Sequence, residues 1–120
     1  MNDGGGIVNI STDLTRIILP YYPAYSSTKA AMENLTKYLA KDLGVRGIRV
    51  NIVAPGAIET DFAGGMVRDN AEMNSHIASH TALGRVGLPT DIGSVVAFLC
   101  SEDAKWITAQ RIEVSGGQML

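Results

Sequence analysis

Three short apolar runs along this chain predict β-strands. They span residues 7–11, 48–54 and 110–114, and longer, more polar segments separate them. The first run is apolar at successive positions, which is typical of a parallel strand covered on both faces of its sheet. We therefore expect an α/β arrangement in which the strands form one parallel sheet.

The segment between the first two strands has the periodicity of a helix. We predict that this helix runs from about Ala24 to Leu43 and ends at Gly44. On its polar side, Glu33 and Lys37 are spaced to form an i,i+4 ion pair. A strand, a helix and a second parallel strand make a right-handed βαβ unit. The apolar positions at helical spacing are Ala30, Ala31, Leu35, Leu39 and Leu43.

Residues 59–85 form the longest connection between predicted strands and helices. A Gly64-Gly65 pair near its start is a candidate hinge, and we predict one helix at about residues 70–80. The length and the glycines are typical either of an irregular connection or of a mobile lid over a binding site.

The next segment predicts a last helix before the third strand. Pro89 precedes it, Thr90 or Asp91 is expected to be its N-cap, and it should end near Ser101. Cys100 is the single cysteine and lies in an apolar run of this helix. We expect it to be a buried small hydrophobic residue in a reducing compartment rather than a reactive thiol.

Composition narrows the class of protein. The chain has 120 residues, of which 46% are hydrophobic and 18% charged, as in a single globular domain. A net charge of −2 argues against partners such as nucleic acid or an anionic membrane. No apolar run approaches 18 residues, and the first residues lack the pattern of a signal peptide. A cytoplasmic location is the default expectation.

The strongest chemical signal is a tyrosine four residues before a lysine. On the predicted helix, Tyr25 and Lys29 lie one turn apart on the same face. A free phenol titrates near ~10, too high for efficient proton transfer at neutral pH. A positive charge about 4 Å away, at an effective dielectric of about 20, would lower that pKa by about three units. The sequence therefore predicts that Lys29 activates Tyr25 as a proton donor and acceptor.

Four segments in this order resemble the C-terminal half of a short-chain dehydrogenase/reductase. They are the strand Ile7–Thr12 with two terminal hydroxyls, the Tyr25–Lys29 pair, the strand and Pro-Gly turn in Arg49–Thr60, and the closing Ile112–Gly117. The resemblance covers essentially the whole chain and is nearest to the 3-oxoacyl-carrier-protein reductase-like and the sugar or alcohol dehydrogenase branches. It implies the C-terminal portion of a doubly wound, parallel-sheet Rossmann-type fold, with about three strands and flanking helices.

The resemblance assigns roles to the residues around the tyrosine. It implies that Tyr25 exchanges a proton with the substrate oxygen, while Lys29 lowers the Tyr25 pKa and bonds the nicotinamide ribose. A hydroxyl thirteen residues before the tyrosine would hold the substrate carbonyl, and that position is Thr12, where the family usually has serine. Ser11 is the alternative, since neighbouring side chains of a strand face opposite ways and the register decides.

The resemblance also implies cofactor contacts after the second strand. Ile58 would contact the nicotinamide carboxamide through its backbone, Thr60 would bond it or a phosphate, and Pro55 and Gly56 would let the main chain approach the ring. The implied activity is hydride transfer between NADP or NAD and a small carbonyl or alcohol substrate. Residues 59–85 would then be the substrate lid, and the full-length form would be a homo-oligomer, either a dimer or a tetramer.

One part of the family pattern is not found. The glycine-rich turn that binds the pyrophosphate joins a strand to a helix, whereas Gly4–Gly6 precedes a strand. We therefore expect residues 1–120 to be a single partial domain that begins near the fifth strand of seven, with an exposed edge on strand 7–11. The alternative is a catalytically inactive fragment that serves as an interaction or dimerisation module. His76 and His80 are spaced as possible metal ligands, but a solvated or lid-packing pair is favoured.

Overall fold

The computed structural model describes residues 1–120 and confirms the order of strands and helices that the sequence predicts. The boundaries differ from the predicted ones by one or two residues, and a short helix comes before the one predicted near residues 70–80. The elements are β1 (Gly6–Ile10), α1 (Pro23–Leu43), β2 (Arg49–Pro55), α2 (Met66–Asp69), α3 (Ala71–Ser79), α4 (Pro89–Cys100) and β3 (Arg111–Val114).

The three strands form one parallel sheet in the order β1-β2-β3. Ile10 lies opposite Val53 in the first pair, and Val53 lies opposite Ile112 in the second. The predicted α/β fold class is confirmed, and α1 makes the crossover between β1 and β2. β1 is an edge strand that pairs only with β2, as the sequence predicts.

The core has two layers because helices cover both faces of the sheet. On one face, Val50 and Ile48 pack with Ala40 of α1. On the other face, Val53 packs with Leu99 of α4 and with Ala104. Adjacent residues of β2 therefore point into opposite layers, which explains why this central strand is apolar at nearly every position.

Two details of α4 differ from the prediction. The N-cap is Leu88 rather than Thr90 or Asp91, although the Asp91 side chain does accept the Leu88 N–H at 2.8 Å. Cys100 is exposed, not buried. The residue before it, Leu99, fills the core, and a step of one residue turns a helix side chain by about 100°.

The connection after β2 is folded rather than irregular. It contains a 3₁₀ turn at Phe62–Gly65, then α2, then α3. At the start of α3, one backbone N–H donates to the Asn70 side chain. Ala63, Gly64 and Gly65 all have positive φ, so the predicted glycine pair does mark a sharp bend. None of the helices combines the length and the apolar character that a membrane crossing requires.

Candidate active site

The predicted site residues lie where the parallel strands end. Thr12 follows β1 and caps the 3₁₀ turn Asp13–Thr15, accepting the Leu14 N–H at 3.2 Å through its hydroxyl. Pro23 occupies the first turn of α1, so this helix starts on the same side of the sheet and brings Tyr25 there. Carboxyl ends of parallel strands are where α/β folds bind ligands.

The two hydroxyl residues after β1 face different neighbours. Ser11 donates to the Glu33 carboxylate at 2.6 Å, on the side where α1 packs. The Thr12 hydroxyl instead lies close enough to the Tyr25 phenol to lower its pKa by hydrogen bonding, although burial outweighs this effect. Of the two candidate hydroxyls, Thr12 is therefore the one that acts on the tyrosine, whereas Ser11 bonds to Glu33.

The net pKa shift of Tyr25 is opposite to the predicted one. Burial raises the pKa of Tyr25, the Thr12 hydroxyl lowers it, and the charges of Asp13 and Tyr22 raise it further. Lys29 is not among the groups that shift it. The predicted activation of Tyr25 by Lys29 is therefore wrong for this structure, and the phenol is a protonated, neutral group at pH 7.

The position of the Lys29 ammonium explains the difference. It lies 5.7 Å from the centre of the Tyr25 ring and donates to the Ile10 carbonyl at 3.0 Å. Helical spacing brings the two Cβ atoms together, but the flexible four-carbon stem carries the charge to the carbonyl at the end of β1. Lys29 is at the predicted strand end, but not at the phenol oxygen.

Two aromatic rings flank Tyr25. The Tyr22 ring meets it edge to face at 6.2 Å, and the Phe62 ring lies tilted at 5.7 Å. Phe62 belongs to the connection after β2, and its N–H donates to the Thr60 hydroxyl at 3.2 Å. The start of the predicted lid therefore folds back over the tyrosine, which brings Thr60 and Tyr25 to one region of the surface.

Gly56 has a packing role that the sequence did not indicate. A Cβ at this position would lie 2.8 Å from the Cα of Ser115, in the turn after β3. The next N–H, of Ala57, donates to the Gln118 side chain at 3.1 Å. Pro55 pairs opposite Val114 at the end of the sheet. In this structure the close approach at Gly56 is thus made by the C-terminal segment of the chain.

Asp13 is a buried carboxyl group that sequence reasoning missed. Burial and the nearby Glu113 raise the pKa of Asp13 to about 6, although Arg16 and Arg111 act in the opposite direction. One oxygen, Oδ2, has no hydrogen-bond partner. An aspartate directly after Thr12 gives no sign in the sequence that it turns inward, because turns commonly carry exposed aspartates.

The sequence predicts an ion pair between Glu33 and Lys37, but the Glu33 side chain faces the sheet instead. It accepts from Ser11 and Thr15, each at 2.6 Å, and from Arg111 at 2.9 Å. Burial opposes ionisation, but these hydrogen bonds outweigh it and hold the pKa of Glu33 below its usual value. Glu33, eight residues after Tyr25, thus lies on a face of α1 that packs against the end of β1, as Thr36 does through its contact with Asn9.

The ion pairs continue from Arg111 along the end of β3. Glu113 lies 3.4 Å from Arg111 and accepts a bidentate pair of bonds from Arg16, at 2.8 and 2.9 Å. The hydrogen bond from Arg16 lowers the pKa of Glu113 despite burial. This ladder of alternating charges joins the turn after β1 to β3.

His76 and His80 lie outside this region, on α3 and at its end. Their rings are 4.6 Å apart, and Nδ1 of His80 lies 2.9 Å from the His76 carbonyl oxygen. Backbone contact of this kind is ordinary for a histidine that ends a helix. No third side chain of a type that binds metals joins the pair.

A parallel α/β sheet with a tyrosine, a lysine and a hydroxyl at its strand ends is the arrangement of a Rossmann-type oxidoreductase. A family model described as enoyl-(acyl carrier protein) reductase matches residues 1–119. The chain belongs to the short-chain dehydrogenase/reductase family.

Curated relatives support this family assignment. An uncharacterized oxidoreductase of Methylorubrum extorquens is 42% identical over 117 residues, which are 98% of this chain and 47% of the relative. The 3-oxoacyl-[acyl-carrier-protein] reductase FabG of Staphylococcus aureus is 40% identical over 116 residues, 97% of this chain and 46% of the relative. The chain thus spans about half the length of the curated relatives it matches.

Solved structures agree with the fold. The promiscuous reductase LugOII, which catalyses keto-reduction at C1 in lugdunomycin biosynthesis, superposes with a TM-score of 0.91 at 44% identity, covering 99% of this chain and 46% of that one. The landomycin C-6 ketoreductase LanV, with bound NADP and rabelomycin, gives 0.82 at 38% identity, with 99% and 43% covered. A 3-oxoacyl-[acyl-carrier protein] reductase of Brucella melitensis with bound NAD gives 0.84 at 33%, with 97% and 41% covered.

Proposed function

We propose that this chain forms the catalytic part of an oxidoreductase that transfers hydride between NADP or NAD and a small carbonyl or alcohol substrate. Tyr25 is the general acid and base of this reaction. The observation that carries the proposal is the placement of the Tyr25 phenol beside the Thr12 hydroxyl, with Lys29 at the same strand end.

The protonation state of Tyr25 indicates whether these residues favour carbonyl reduction or alcohol oxidation at neutral pH. Burial raises the pKa of Tyr25, so the group carries its proton at pH 7. A neutral phenol donates a proton to the oxygen of a carbonyl as that oxygen becomes negative, which is the proton step of carbonyl reduction. Thr12 donates a second hydrogen bond to the same oxygen and orients it. Alcohol oxidation would need the phenolate and would therefore accelerate towards high pH.

Several residues would hold the nicotinamide half of the cofactor. Lys29 offers an ammonium for ribose hydroxyls, and Thr60 offers a hydroxyl for the carboxamide or a phosphate. Ile58 would contribute its backbone, next to Pro55 and Gly56. These groups are partly exposed at the strand ends, and their donors suit a carboxamide and a sugar. When bound, the cofactor supplies or accepts the hydride.

The names of the relatives are consistent with a ketone as substrate. LugOII is described as catalysing a keto-reduction and LanV as a ketoreductase, and the Staphylococcus and Brucella enzymes are 3-oxoacyl reductases. Both NADP and NAD appear among these structures, so either cofactor fits the proposal. We further propose that the full-length enzyme is a homo-oligomer. The relatives do not favour the alternative of an inactive interaction module.

Replacing Tyr25 with phenylalanine in the full-length enzyme tests the proposal. We expect kcat for ketone reduction to fall by about 100-fold or more, because general acid catalysis contributes about 10²–10⁴-fold. The Kd for NADPH or NADH, measured by fluorescence titration, should change little. Tyr38→Phe is the matched control, since Tyr38 is an exposed tyrosine of the same helix. Unchanged turnover of Tyr25→Phe would remove the tyrosine from its role.

A further inference from the structure

One carboxylate accepts hydrogen bonds from both sides of the turn that carries Thr12. Glu33 collects hydrogen bonds through Oε1 from the hydroxyls of Ser11 and Thr15, on either side of Thr12, and from Nε of Arg111. These three donors come from the end of β1, the 3₁₀ turn and β3. Glu33 itself belongs to α1, the helix of Tyr25, so the carboxylate fixes the turn relative to that helix.

Arg111 completes the same set of contacts. Its Nη2 donates to the Thr15 hydroxyl at 3.0 Å and to the main-chain carbonyl of Thr12 at 3.4 Å. The Thr15 hydroxyl also lies 3.1 Å from the Thr12 carbonyl oxygen. The backbone of Thr12 is therefore fixed at its carbonyl, while its hydroxyl accepts the Leu14 N–H at 3.2 Å and keeps its own proton to donate towards Tyr25.

We propose that Glu33 and Arg111 are positioning residues that hold the turn after β1 so that the Thr12 hydroxyl faces the Tyr25 phenol. Neither reaches the phenol itself, and both act through Thr12. The consequence for catalysis rests on the proposed function, but the positioning itself does not. Alignment to a fraction of an ångström matters here because a displacement of about 1 Å can cost about 100-fold in rate.

Positioning, a direct charge effect and a purely structural role give three different results when Glu33 is replaced. If Glu33 acted on Tyr25 only through its charge, its removal would lower the Tyr25 pKa, since a negative charge opposes phenolate formation. If the network only stabilised the fold, the pKa of Tyr25 would not change in a variant that still folds. If Glu33 positions Thr12, the Tyr25 pKa rises, because the hydroxyl no longer hydrogen-bonds the phenolate.

The test is a pH titration of the 120-residue chain with tyrosines labelled by ¹³C at Cζ, in which the Tyr25→Phe spectrum identifies the Tyr25 signal. We expect Glu33→Met, which removes the acceptor, to raise the Tyr25 pKa. Glu33→Gln keeps one acceptor oxygen, so we expect its Tyr25 pKa to equal that of the unsubstituted chain. In a Thr12→Val background, Glu33→Met should add no further shift, because the hydroxyl it acts through is gone.

Matched variants separate positioning from folding. Arg49 lies on the neighbouring strand and donates to the carbonyls of Leu99, Ala104 and Ser101, away from the turn that carries Thr12. Arg49→Met should lower the free energy of unfolding but leave the Tyr25 pKa unchanged, whereas Arg111→Met should raise that pKa. Thr15→Val is a milder variant, in case Glu33→Met does not fold, and is expected to shift the pKa in the same direction.

In the full-length enzyme, Glu33→Met should reduce kcat by about tenfold or more with little change in KM, and Glu33→Gln should recover most of it. A folded Glu33→Met chain whose Tyr25 pKa falls or stays constant would overturn the positioning role. If the titration behaves as expected but Tyr25→Phe does not affect turnover, the positioning stands and the proposed function fails.

Discussion

At the scale of single residues, the burial of Asp13 lowers the stability of the native state at neutral pH. Its pKa rises from 3.8 to about 6 on folding, first because it is buried and then because Glu113 is near. The native state therefore holds a proton that the unfolded chain releases between about pH 4 and pH 6. Stability falls as the pH rises through this window, and the loss above it is about 3 kcal/mol.

We predict that Asp13→Asn raises the free energy of unfolding at pH 7.5 by about 1–3 kcal/mol, because the amide has no charge to bury. Near pH 4 the difference from the unsubstituted chain should largely disappear, since Asp13 is then protonated in the native state. Urea unfolding at the two pH values measures this. Asp42→Asn is the control at an exposed carboxylate and should change neither value. An Asp13→Asn chain that is equally stable at pH 7.5 would contradict the burial argument.

Sequence reasoning at this scale succeeded where spacing decides and failed where a rotamer decides. The family resemblance implies a hydroxyl thirteen residues before Tyr25, and with the alternation along a strand this named Thr12 and Ser11 as the two candidates. The predicted position of the Lys29 charge was wrong because i,i+4 spacing fixes Cβ atoms, not the end of a flexible side chain. The raised pKa of Asp13 depends first on its burial and then on Glu113, which lies far from it in the chain.

At the scale of structural elements, the Pro-Gly turn after β2 packs closely against the C-terminal segment. The Cβ of an alanine at position 56 would lie 2.8 Å from both Cα and Cβ of Ser115, and 3.0 Å from the Gln118 side chain. At least one of these atoms belongs to the main chain and cannot rotate away. The turn after β2 and the turn after β3 must therefore separate to accept any side chain.

We predict that Gly56→Ala lowers the free energy of unfolding by about 1–3 kcal/mol, the usual cost of overpacking. Gly44→Ala is the control, because nothing lies within 4 Å of its Cβ position and its φ of −60° suits alanine. That control should be neutral or more stable by about 0.4–1 kcal/mol. Thermal and urea unfolding of both variants provide the comparison, and a Gly56→Ala chain as stable as Gly44→Ala would show that the turns separate freely.

The strands and helices were predictable because their signals are local. Apolar runs located all three strands, and helical periodicity located α1 to within one residue of its start. The predicted N-cap of α4 was wrong because Pro89 occupies its first turn, which moves the N-cap to Leu88. The apolar run around Cys100 predicted burial, but at this end of the helix only Leu99 is buried, and its neighbours Phe98 and Cys100 are exposed.

At the scale of the whole molecule, the sheet has three strands and the chain covers about half of each relative. The candidate cofactor contacts all belong to the nicotinamide end, at the carboxyl ends of β1 and β2. In Rossmann-type folds the pyrophosphate binds at a glycine-rich turn and a helix N-terminus. The run Gly4–Gly6 leads into β1 instead and does not make such a turn.

A polypeptide of these 120 residues, purified alone, is therefore expected to bind NADPH and NADH weakly, with a Kd of about 1 mM or more, equivalent to about 4 kcal/mol or less. Fluorescence titration of the reduced nicotinamide measures this directly. Lys29→Met is the matched variant: if weak binding is detectable, it should weaken further, because the substitution removes the ammonium that we propose to bond the ribose hydroxyls. Saturable binding in the micromolar range would contradict the prediction and would mean that the strand ends described above hold the dinucleotide without a glycine-rich turn.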